Sequence, residues 1–133
     1  GNKRKVVVAP CHGDVEVTII GDQLTLRMDQ RSADFPIGVP SNMIQYAVLT
    51  IMVAHVTGYV PHRYIHATHN AQIYDDQLDA TKELISRESF SFPSINLTDE
   101  GMKVTNLFDF RPDHFELRDY VSGPSMKDIP VTT

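Results

Sequence analysis

The sequence predicts an α+β fold, because segments with strand character and segments with helix character follow one another along the chain. Apolar and polar residues alternate on both sides of Gly21-Asp22, and a two-residue turn of this kind predicts a β-hairpin. A long apolar segment stops at Gly58, and an amphipathic segment runs from Asp75 to Ser86. A mixture of strands with two helices is typical of the α+β class.

Short β-rich segments predict the strands. They are residues 5–9, Val15 to Ile19, Leu24 to Met28, Tyr64 to His69, Ser91 to Asn96 and Phe115 to Tyr120. Residues Asp29 to Pro40 have turn residues at both ends and no helical period, so we predict an ordered loop there. A long loop that carries Arg, Ser and Asp is a good place to look for function.

The long apolar segment is predicted to be a helix that ends at Thr57. Ser41 or Asn42 is expected to cap it, since both side chains accept from free first-turn N–H groups. Its mostly apolar surface predicts burial on nearly all sides. In the shorter helix, the side chains expected to face the core are Leu78, Leu84 and Ile85.

Composition narrows the class of protein. The 133 residues suit a single domain over 1–133, with 41% hydrophobic residues and a formal net charge of −5. The acidic balance argues against a broad surface for nucleic acid. One cysteine cannot form an internal disulfide, which favours a reducing compartment.

The segment Met43 to Val60 is interrupted by polar residues, so we expect a core helix, no membrane span and a cytoplasmic protein.

Three short segments carry candidate chemistry. A lone cysteine such as Cys11 is ordinarily a small buried hydrophobe, but it becomes a nucleophile when nearby positive charge stabilises its thiolate; His12 and Arg31 are candidates for that charge. Arg31 and Ser32 offer donors for a phosphate, although a solvated turn is the plainer interpretation. Asn42 can both donate and accept, which matches the N3–H and O4 pair of uracil, or it can simply cap the helix.

Histidines near the predicted strand at residues 64–69 raise the question of a metal site. His62 and His66 would share one face of that strand, and His69 follows them. No cysteine or second imidazole pair at an established zinc spacing accompanies them, so we predict no metal.

Several short motifs occur together in an order that is more specific than any one of them. They are Pro10-Cys11-His12, Gln30-Arg31-Ser32-x-Asp34, Gly38-x-Pro40-x-Asn42, Tyr46-Ala47-x-Leu49, Ile73-Tyr74, Leu84-x-x-Arg87-Glu88, Pro93, Phe110, Asp113-x-x-Glu116, Tyr120 and Pro124-x-x-Lys127. In this order and spacing the chain resembles the thymidylate synthase family from about Ala9 onward. The similarity is to the carboxy-terminal, nucleotide-holding part of these enzymes and implies their mixed β-sheet.

The resemblance implies a reaction on a pyrimidine nucleoside monophosphate such as dUMP. The Cys11 thiolate would add to C6 of the ring, so that C5 attacks the one-carbon unit of 5,10-methylenetetrahydrofolate. The 5′-phosphate would lie on Arg31 and Ser32, and Asn42 would read the uracil edge. Further residues implied in substrate binding are His12, Gln30, Asp34, Gln72 and Tyr74, of which Tyr74 would bond the sugar 3′-hydroxyl. Asp34 and Gly38 would lie toward the folate, over which the tail after Pro124 would close, and a homodimer is implied.

The chain also departs from the family pattern. Gln72 stands where the family usually has the histidine that partners Tyr74, and His69 stands where glycine is usual. The general-base glutamate and folate-packing tryptophans of the amino-terminal part have no counterpart, and the sequence has no Trp. We therefore expect a fragment or a natural truncated relative. Asn42 favours uracil over cytosine, but hydroxymethyl transfer and a non-catalytic nucleotide-binding fragment stay open as alternatives.

Overall fold

The computed structural model describes residues 9–126 and 129–131, which form an α+β arrangement and confirm the predicted class. The strands are β1 (His12–Ile20), β2 (Gln23–Gln30), β3 (Ala33–Asp34), β4 (Val60–Thr68), β5 (Ala71–Gln72), β6 (Ser94–Leu97) and β7 (Phe115–Arg118). The α-helices are α1 (Gly38–Thr57) and α2 (Leu78–Ser86). Single turns of 3₁₀-helix lie at Asp75–Gln77, Gly101–Lys103, Leu107–Asp109 and Pro112–His114.

The main sheet is mixed, with β2 between its two partners. β1 pairs with β2 in the antiparallel sense, and β2 pairs with β4 in the parallel sense. The hairpin predicted at Gly21-Asp22 is confirmed, and Gly21 has the positive φ of 64° that suits glycine in such a turn. Two small sheets complete the description: β3 pairs parallel with β5, and β6 pairs antiparallel with β7.

The core lies where α1 covers one face of β2. The side chains of Leu24, Leu26 and Met28 point to this face at every second position and are at most 1% exposed. Ala54 of α1 is fully buried against them, and partly buried residues surround the cluster: Tyr46, Leu49, Val53 and Tyr64. The alternation of buried and more exposed side chains along β2 therefore identifies the face of the sheet that α1 covers.

Residues 29–40 are more regular than predicted, so the expectation of a loop from Asp29 to Pro40 is wrong for most of its length. β2 continues to Gln30, β3 follows, and α1 begins at Gly38 with Ile37 as its N-cap and no side-chain cap. Ser41 and Asn42 thus lie inside the helix and do not cap it. The first turn accepts Pro40 because the N–H groups there have no intrahelical partner in any case.

The predicted long helix is present, but it is not buried on nearly all sides within the part of the chain described. Only Val39, Thr50 and Ala54 are buried, whereas Met43 and Ile44 are exposed. The described elements cover one face of α1 and leave the other open. By length and composition α1 is apolar enough to cross a bilayer, a criterion that core helices of soluble proteins also meet. One face of α1 packs on β2 and β4.

The predicted inner face of α2 is exposed. Leu78, Leu84 and Ile85 are 42%, 40% and 77% exposed, so the expectation that they face the core is wrong for the described residues. An amphipathic pattern shows that one face of a helix requires cover, but not which segment supplies it. The first predicted turn of this helix, Asp75–Gln77, is a 3₁₀ turn.

The remaining strand bounds differ by a few residues. β4 begins at Val60, earlier than predicted, while β6 begins only at Ser94, directly after Pro93, which lacks the N–H that a ladder requires. β7 ends at Arg118 because Asp119 takes a positive φ of 59° and breaks the extended backbone. Of the strand predicted at residues 5–9, positions 5–8 lie outside the described residues, and Ala9 is not in a strand.

Candidate functional site

Cys11 and Arg31 lie at the same end of the main sheet, where β1 begins and β2 ends. The backbone N–H of Arg31 donates to the Cys11 carbonyl oxygen over 2.9 Å, and the Arg31 guanidinium donates to the Ala9 carbonyl oxygen over 3.1 Å. Both residues border a cavity of about 140 Å³, which is also lined by Pro10, His12, Gly13, Asp14 and Asp29. The structure therefore places Cys11 and Arg31, which are twenty positions apart in the sequence, at one cavity.

Acidic groups share this cavity with the guanidinium. Asp14 and Asp29 are cross-strand neighbours, and Asp29 accepts two hydrogen bonds from Arg27 over 2.9 and 3.0 Å. The hydrogen bond from Arg27 lowers the pKa of the Asp29 carboxyl, so this group is anionic at neutral pH. His69 Nε2 lies 3.5 Å from Asp29 Oδ1. The charge around Cys11 is thus mixed and not uniformly positive.

A second cluster of predicted residues is joined by hydrogen bonds between amide groups. The Gln30 side chain donates from Nε2 to the Ser32 carbonyl oxygen over 2.9 Å and to Asn42 Oδ1 over 3.2 Å. Gln72 donates from Nε2 to Ser32 Oγ over 2.8 Å. The pairing of β3 with β5 places Gln72 here, because Asp34 and Gln72 are partners in that short ladder.

A row of rings connects His12 with this amide cluster. His12 Nδ1 lies 2.9 Å from the Tyr46 hydroxyl, and the Tyr46 ring stacks on Tyr64 at a centroid distance of 6.2 Å. Tyr64 meets the edge of His66, whose Nε2 lies 2.8 Å from Gln30 Oε1. The pKa of His66 is lowered mainly by burial and to a smaller extent by the charge of His12. The His66 ring is therefore neutral at neutral pH.

The third cluster of predicted residues contains Asp34 and Tyr74, which are joined by hydrogen bonds to Gln77. Gln77 is completely buried. Its Nε2 donates to Asp34 Oδ2 over 3.3 Å and to the Pro130 carbonyl oxygen over 2.9 Å, while its Oε1 accepts from the Tyr74 backbone N–H over 3.1 Å. Asp34 Oδ1 is buried without a hydrogen-bond partner among the described residues. An unpaired buried acceptor is available to an N–H donor of a ligand.

Gly38 lies beside Asp34 at the first residue of α1. A Cβ added at Gly38 would stand 3.8 Å from Asp34 Cβ and 3.9 Å from Asn42 Oδ1, which are ordinary contact distances. The predicted site residues thus fall into three neighbouring groups: Cys11, His12 and Arg31; Gln30, Ser32, Asn42 and Gln72; Asp34, Gly38 and Tyr74. Lys127 of the predicted tail motif lies outside the described residues.

Two residues in these clusters were not predicted to take part. The sequence drew attention to His66 only as a histidine near other histidines, and Gln77 only as a position in an amphipathic segment. The signal that could have found Gln77 is weak, since a glutamine in a helical pattern is ordinarily exposed. No group of three or more His, Cys, Asp or Glu side chains suited to a metal ion occurs within residues 9–126 and 129–131.

The fold and the site together define an α+β protein in which a cysteine, an arginine and a set of buried and partly buried amide side chains lie at one end of a mixed sheet. By its sequence the chain belongs to the thymidylate synthase family, whose model matches residues 2–132.

Similar proteins extend over most of this chain. It is 37% identical to a thymidylate synthase of Saimiriine herpesvirus 2 (strain 11) and 33% identical to one of Homo sapiens, with 92% of the chain covered in each case. A thymidylate synthase of Malacoplasma penetrans (strain HF-2) is 33% identical over 93% of the chain. The matched region is only 41%, 38% and 42% of the length of these three relatives, respectively. The chain therefore corresponds to about two fifths of each.

Proposed function

We propose that this chain carries the nucleophile and the nucleotide-holding residues of an enzyme that transfers a one-carbon unit to C5 of dUMP. Cys11 sulfur forms a bond to C6 of the uracil ring, and the electron pair of the C5–C6 double bond moves to C5 and makes it nucleophilic. C5 then bonds to the one-carbon unit and loses its proton to a base, while the bond between that unit and the folate nitrogen breaks and leaves an exocyclic methylene. Hydride from the folate, which becomes dihydrofolate, would reduce this methylene to methyl, and the electron pair returned to the ring expels the Cys11 thiolate and restores the C5–C6 double bond. The co-substrate 5,10-methylenetetrahydrofolate would supply the one-carbon unit and the hydride that reduces it to methyl.

The observation that carries this proposal is the cavity shared by Cys11 and Arg31. A thiolate is the attacking form of cysteine, and Arg31 borders the same cavity as Cys11. The Arg31 guanidinium has planar paired donors suited to a 5′-phosphate, and Ser32 follows it directly in the chain. His12 also borders this cavity.

The amide cluster supports recognition of the base and the sugar. Asn42 is assigned to the uracil edge, with Gln30 behind it, and Gln72 is assigned to the sugar together with Tyr74. Gln72 donates to Ser32 Oγ, so in this chain the assigned sugar and phosphate residues are coupled. An amide can bond a hydroxyl as an imidazole can, which is consistent with Gln72 in place of the usual histidine.

The folate is assigned to the side of Asp34 and Gly38. The unpaired Asp34 Oδ1 suits an N–H donor of a folate ring, and Gly38 lies beside Asp34 at the first residue of α1. Gln77 ties Asp34 to Pro130, and so links this position with the tail after Pro124. We further propose a homodimer in the cytoplasm, without a metal ion.

A non-catalytic nucleotide-binding function is the second candidate, and the length of the relatives favours it. The chain corresponds to about two fifths of these proteins, so residues elsewhere in a longer protein would be required for turnover. In this case the chain binds dUMP but forms no covalent adduct with folate. A hydroxymethylase is the third candidate, and it would be separated from the first by the product that a full-length enzyme releases.

The decisive experiment is intact mass spectrometry after incubation with 5-fluoro-dUMP and 5,10-methylenetetrahydrofolate. We expect a mass gain equal to both ligands in the wild-type chain and none in Cys11→Ala. A matched control is Ser32→Ala, which alters a neighbouring binding residue but leaves the thiol in place and should reduce, not abolish, the adduct.

Each result has a distinct meaning. An adduct that requires Cys11 supports covalent catalysis and excludes the non-catalytic candidate. Clear binding of dUMP by calorimetry without an adduct supports the non-catalytic candidate for this chain. Adduct formation by Cys11→Ala would show that another residue is the nucleophile, and the proposed mechanism would then be wrong.

A further inference from the structure

His66 is a partly buried neighbour of the predicted base-recognition residues, and the proposed function does not use it. It lies on β4 opposite Met28 of β2, so its side chain shares the face of the sheet that α1 covers. His66 Nε2 is 2.8 Å from Gln30 Oε1, whereas His66 Nδ1 is buried without a hydrogen-bond partner among the described residues. The single polar contact of this ring is therefore with Gln30.

The orientation of the Gln30 amide follows from its other partners. The Ser32 carbonyl oxygen can only accept, so the Gln30 atom that faces it over 2.9 Å must be the nitrogen. Gln30 Oε1 then faces His66, and it can only accept. The proton of the His66 ring therefore lies on Nε2, and Nδ1, which has no acceptor near it in the described structure, carries none.

The same reasoning extends to Asn42. Gln30 Nε2 donates a second hydrogen bond over 3.2 Å, and an amide nitrogen of Asn42 could not receive it. Asn42 therefore turns Oδ1 toward Gln30 and Nδ2 away from it, where Nδ2 lies 3.5 Å from Gln45 Oε1. The Ser32 carbonyl oxygen therefore orients Gln30, Gln30 orients Asn42, and the His66 ring adds a second hydrogen bond that holds Gln30 at Oε1.

The surroundings of His66 favour its neutral form. Burial is the larger cause that lowers the pKa of His66, and the electrostatic effect of His12 is the smaller one. Its other neighbours are the Tyr64 ring, which meets it edge to face, and the Gln30 amide. The Tyr46 ring lies one step further, stacked on Tyr64.

We propose that His66 is a positioning residue for base selection: together with the Ser32 carbonyl oxygen it holds the Gln30 amide, and through it the Asn42 amide, so that Asn42 Nδ2 is offered as a donor to the ligand. A 4-oxo pyrimidine accepts from this donor, whereas the 4-amino group of a cytosine nucleotide opposes it with donors of its own. The preference for uracil thus depends on His66, which touches no ligand itself. This inference rests on the proposed function, because it takes Asn42 as the residue that meets the base.

The test compares three variants of the whole chain by calorimetry with dUMP and with dCMP. His66→Leu removes the donor, His66→Gln places an amide N–H in its stead, and His62→Leu makes the same change at an exposed position of the same strand. We expect the ratio of the dCMP Kd to the dUMP Kd to fall about fivefold in His66→Leu, which is the usual effect of one lost hydrogen bond. The ratio should recover in His66→Gln and stay unchanged in His62→Leu.

A measurement on the wild-type chain keeps the inference testable even where a variant does not fold. Nitrogen-15 NMR shifts of the His66 ring separate the Nε2–H tautomer from the Nδ1–H tautomer, and we expect Nε2–H. The Nδ1–H tautomer, or an unchanged Kd ratio in folded His66→Leu, would overturn the inference while the proposed function stands. A wild-type chain that binds neither nucleotide would overturn both.

Discussion

Tyr64 shows how strongly a single residue depends on its surroundings. Its hydroxyl is buried without a hydrogen-bond partner in the described part of the chain, and its ring stacks on Tyr46. Burial first, and then the charge of Tyr46, raise the pKa of Tyr64 from 10.0 to about 12. A buried hydroxyl with no partner opposes folding, because it loses its water without gaining a hydrogen bond.

At neutral pH we expect the free energy of unfolding of the Tyr64→Phe variant to be equal to that of the wild-type chain or higher by up to about 1 kcal/mol. Urea denaturation measures this. Tyr46→Phe is the matched control, since it removes a hydroxyl that lies 2.9 Å from His12 Nδ1 and should lose about 1 kcal/mol. A clear loss in Tyr64→Phe would show that its hydroxyl has a partner, such as bound water.

The raised pKa of Tyr64 also predicts a dependence of stability on alkaline pH. The unfolded chain releases the phenol proton near its ordinary pKa of 10.0, whereas the folded chain holds it to about 12. The stability that Tyr64 contributes is therefore fully present below the unfolded pKa and is lost as pH rises from 10.0 to about 12. In Tyr64→Phe this part of the alkaline loss should be missing, and an identical alkaline profile in the two proteins would contradict the assignment.

Arg31 carries the phosphate assignment at the residue scale. Lysine keeps the positive charge but lacks the planar pair of donors, so we expect Arg31→Lys to weaken dUMP binding by roughly ten- to a hundredfold in calorimetry. Arg63→Lys is a control, because Arg63 is exposed on β4 and is not assigned to the site. Equal affinity of Arg31→Lys and wild type would mean that Arg31 does not hold the phosphate.

At the scale of elements, α1 shows why a helix end can be predicted more easily than a helix start. Gly58 ends α1 with a left-handed φ of 76°. Its backbone N–H donates to the Ala54 and His55 carbonyl oxygens and so satisfies free acceptors at the helix end. The start has no side-chain cap, so the capping residues that the sequence offers do not identify it. Pro40 is the feature that matters there, and its position in a first turn is compatible with more than one starting residue.

We expect Gly58→Ala to lower the free energy of unfolding by about 1 kcal/mol, because alanine is strained at a left-handed φ. Nothing lies within 4 Å of an added Cβ, so the loss would be one of backbone conformation alone. Gly38→Ala is the matched control: Gly38 has no positive φ, and alanine in the same helix should be neutral or stabilising by up to about 1 kcal/mol. Urea denaturation of both variants checks this, and equal effects would contradict the explanation.

At the scale of the whole molecule, the described chain has its buried core on one face of the main sheet. Leu26 is fully buried between strands and under α1, whereas Leu84 of α2 is 40% exposed. Many other large apolar side chains are exposed, Ile44 among them at 66% and Phe92 at 97%. Apolar exposure on this scale is expected of a surface that another polypeptide segment covers. The matched region is 41% and 38% of the length of two relatives.

We expect Leu26→Ala to lower the free energy of unfolding by about 2–5 kcal/mol, since it leaves a cavity in the core. Leu84→Ala removes the same atoms from a partly exposed position and should cost less than about 1 kcal/mol. Urea denaturation of the two variants measures the difference. A comparable loss in both would show that α2 is covered in solution.

Local features of this protein could be predicted from the sequence. The hairpin at Gly21-Asp22 and the inward alternation of Leu24, Leu26 and Met28 follow from turn chemistry and from the period of a strand. Residues 38–57 are helical for equally local reasons, and the order of short motifs suffices to identify the family. Interactions between near neighbours in the chain decide all of these, so the sequence determines them directly.

The tertiary structure alone decided which distant residues meet. The parallel pairing of β2 with β4 brings His66 against Gln30, and the start of β1 beside the end of β2 brings Cys11 against Arg31. Which face of α2 is covered was likewise not determined locally, and there the amphipathic pattern led to a wrong expectation for Ile85. The physical reason is the same in each case: a contact between distant positions depends on how the elements pack together, and no short stretch of sequence encodes it.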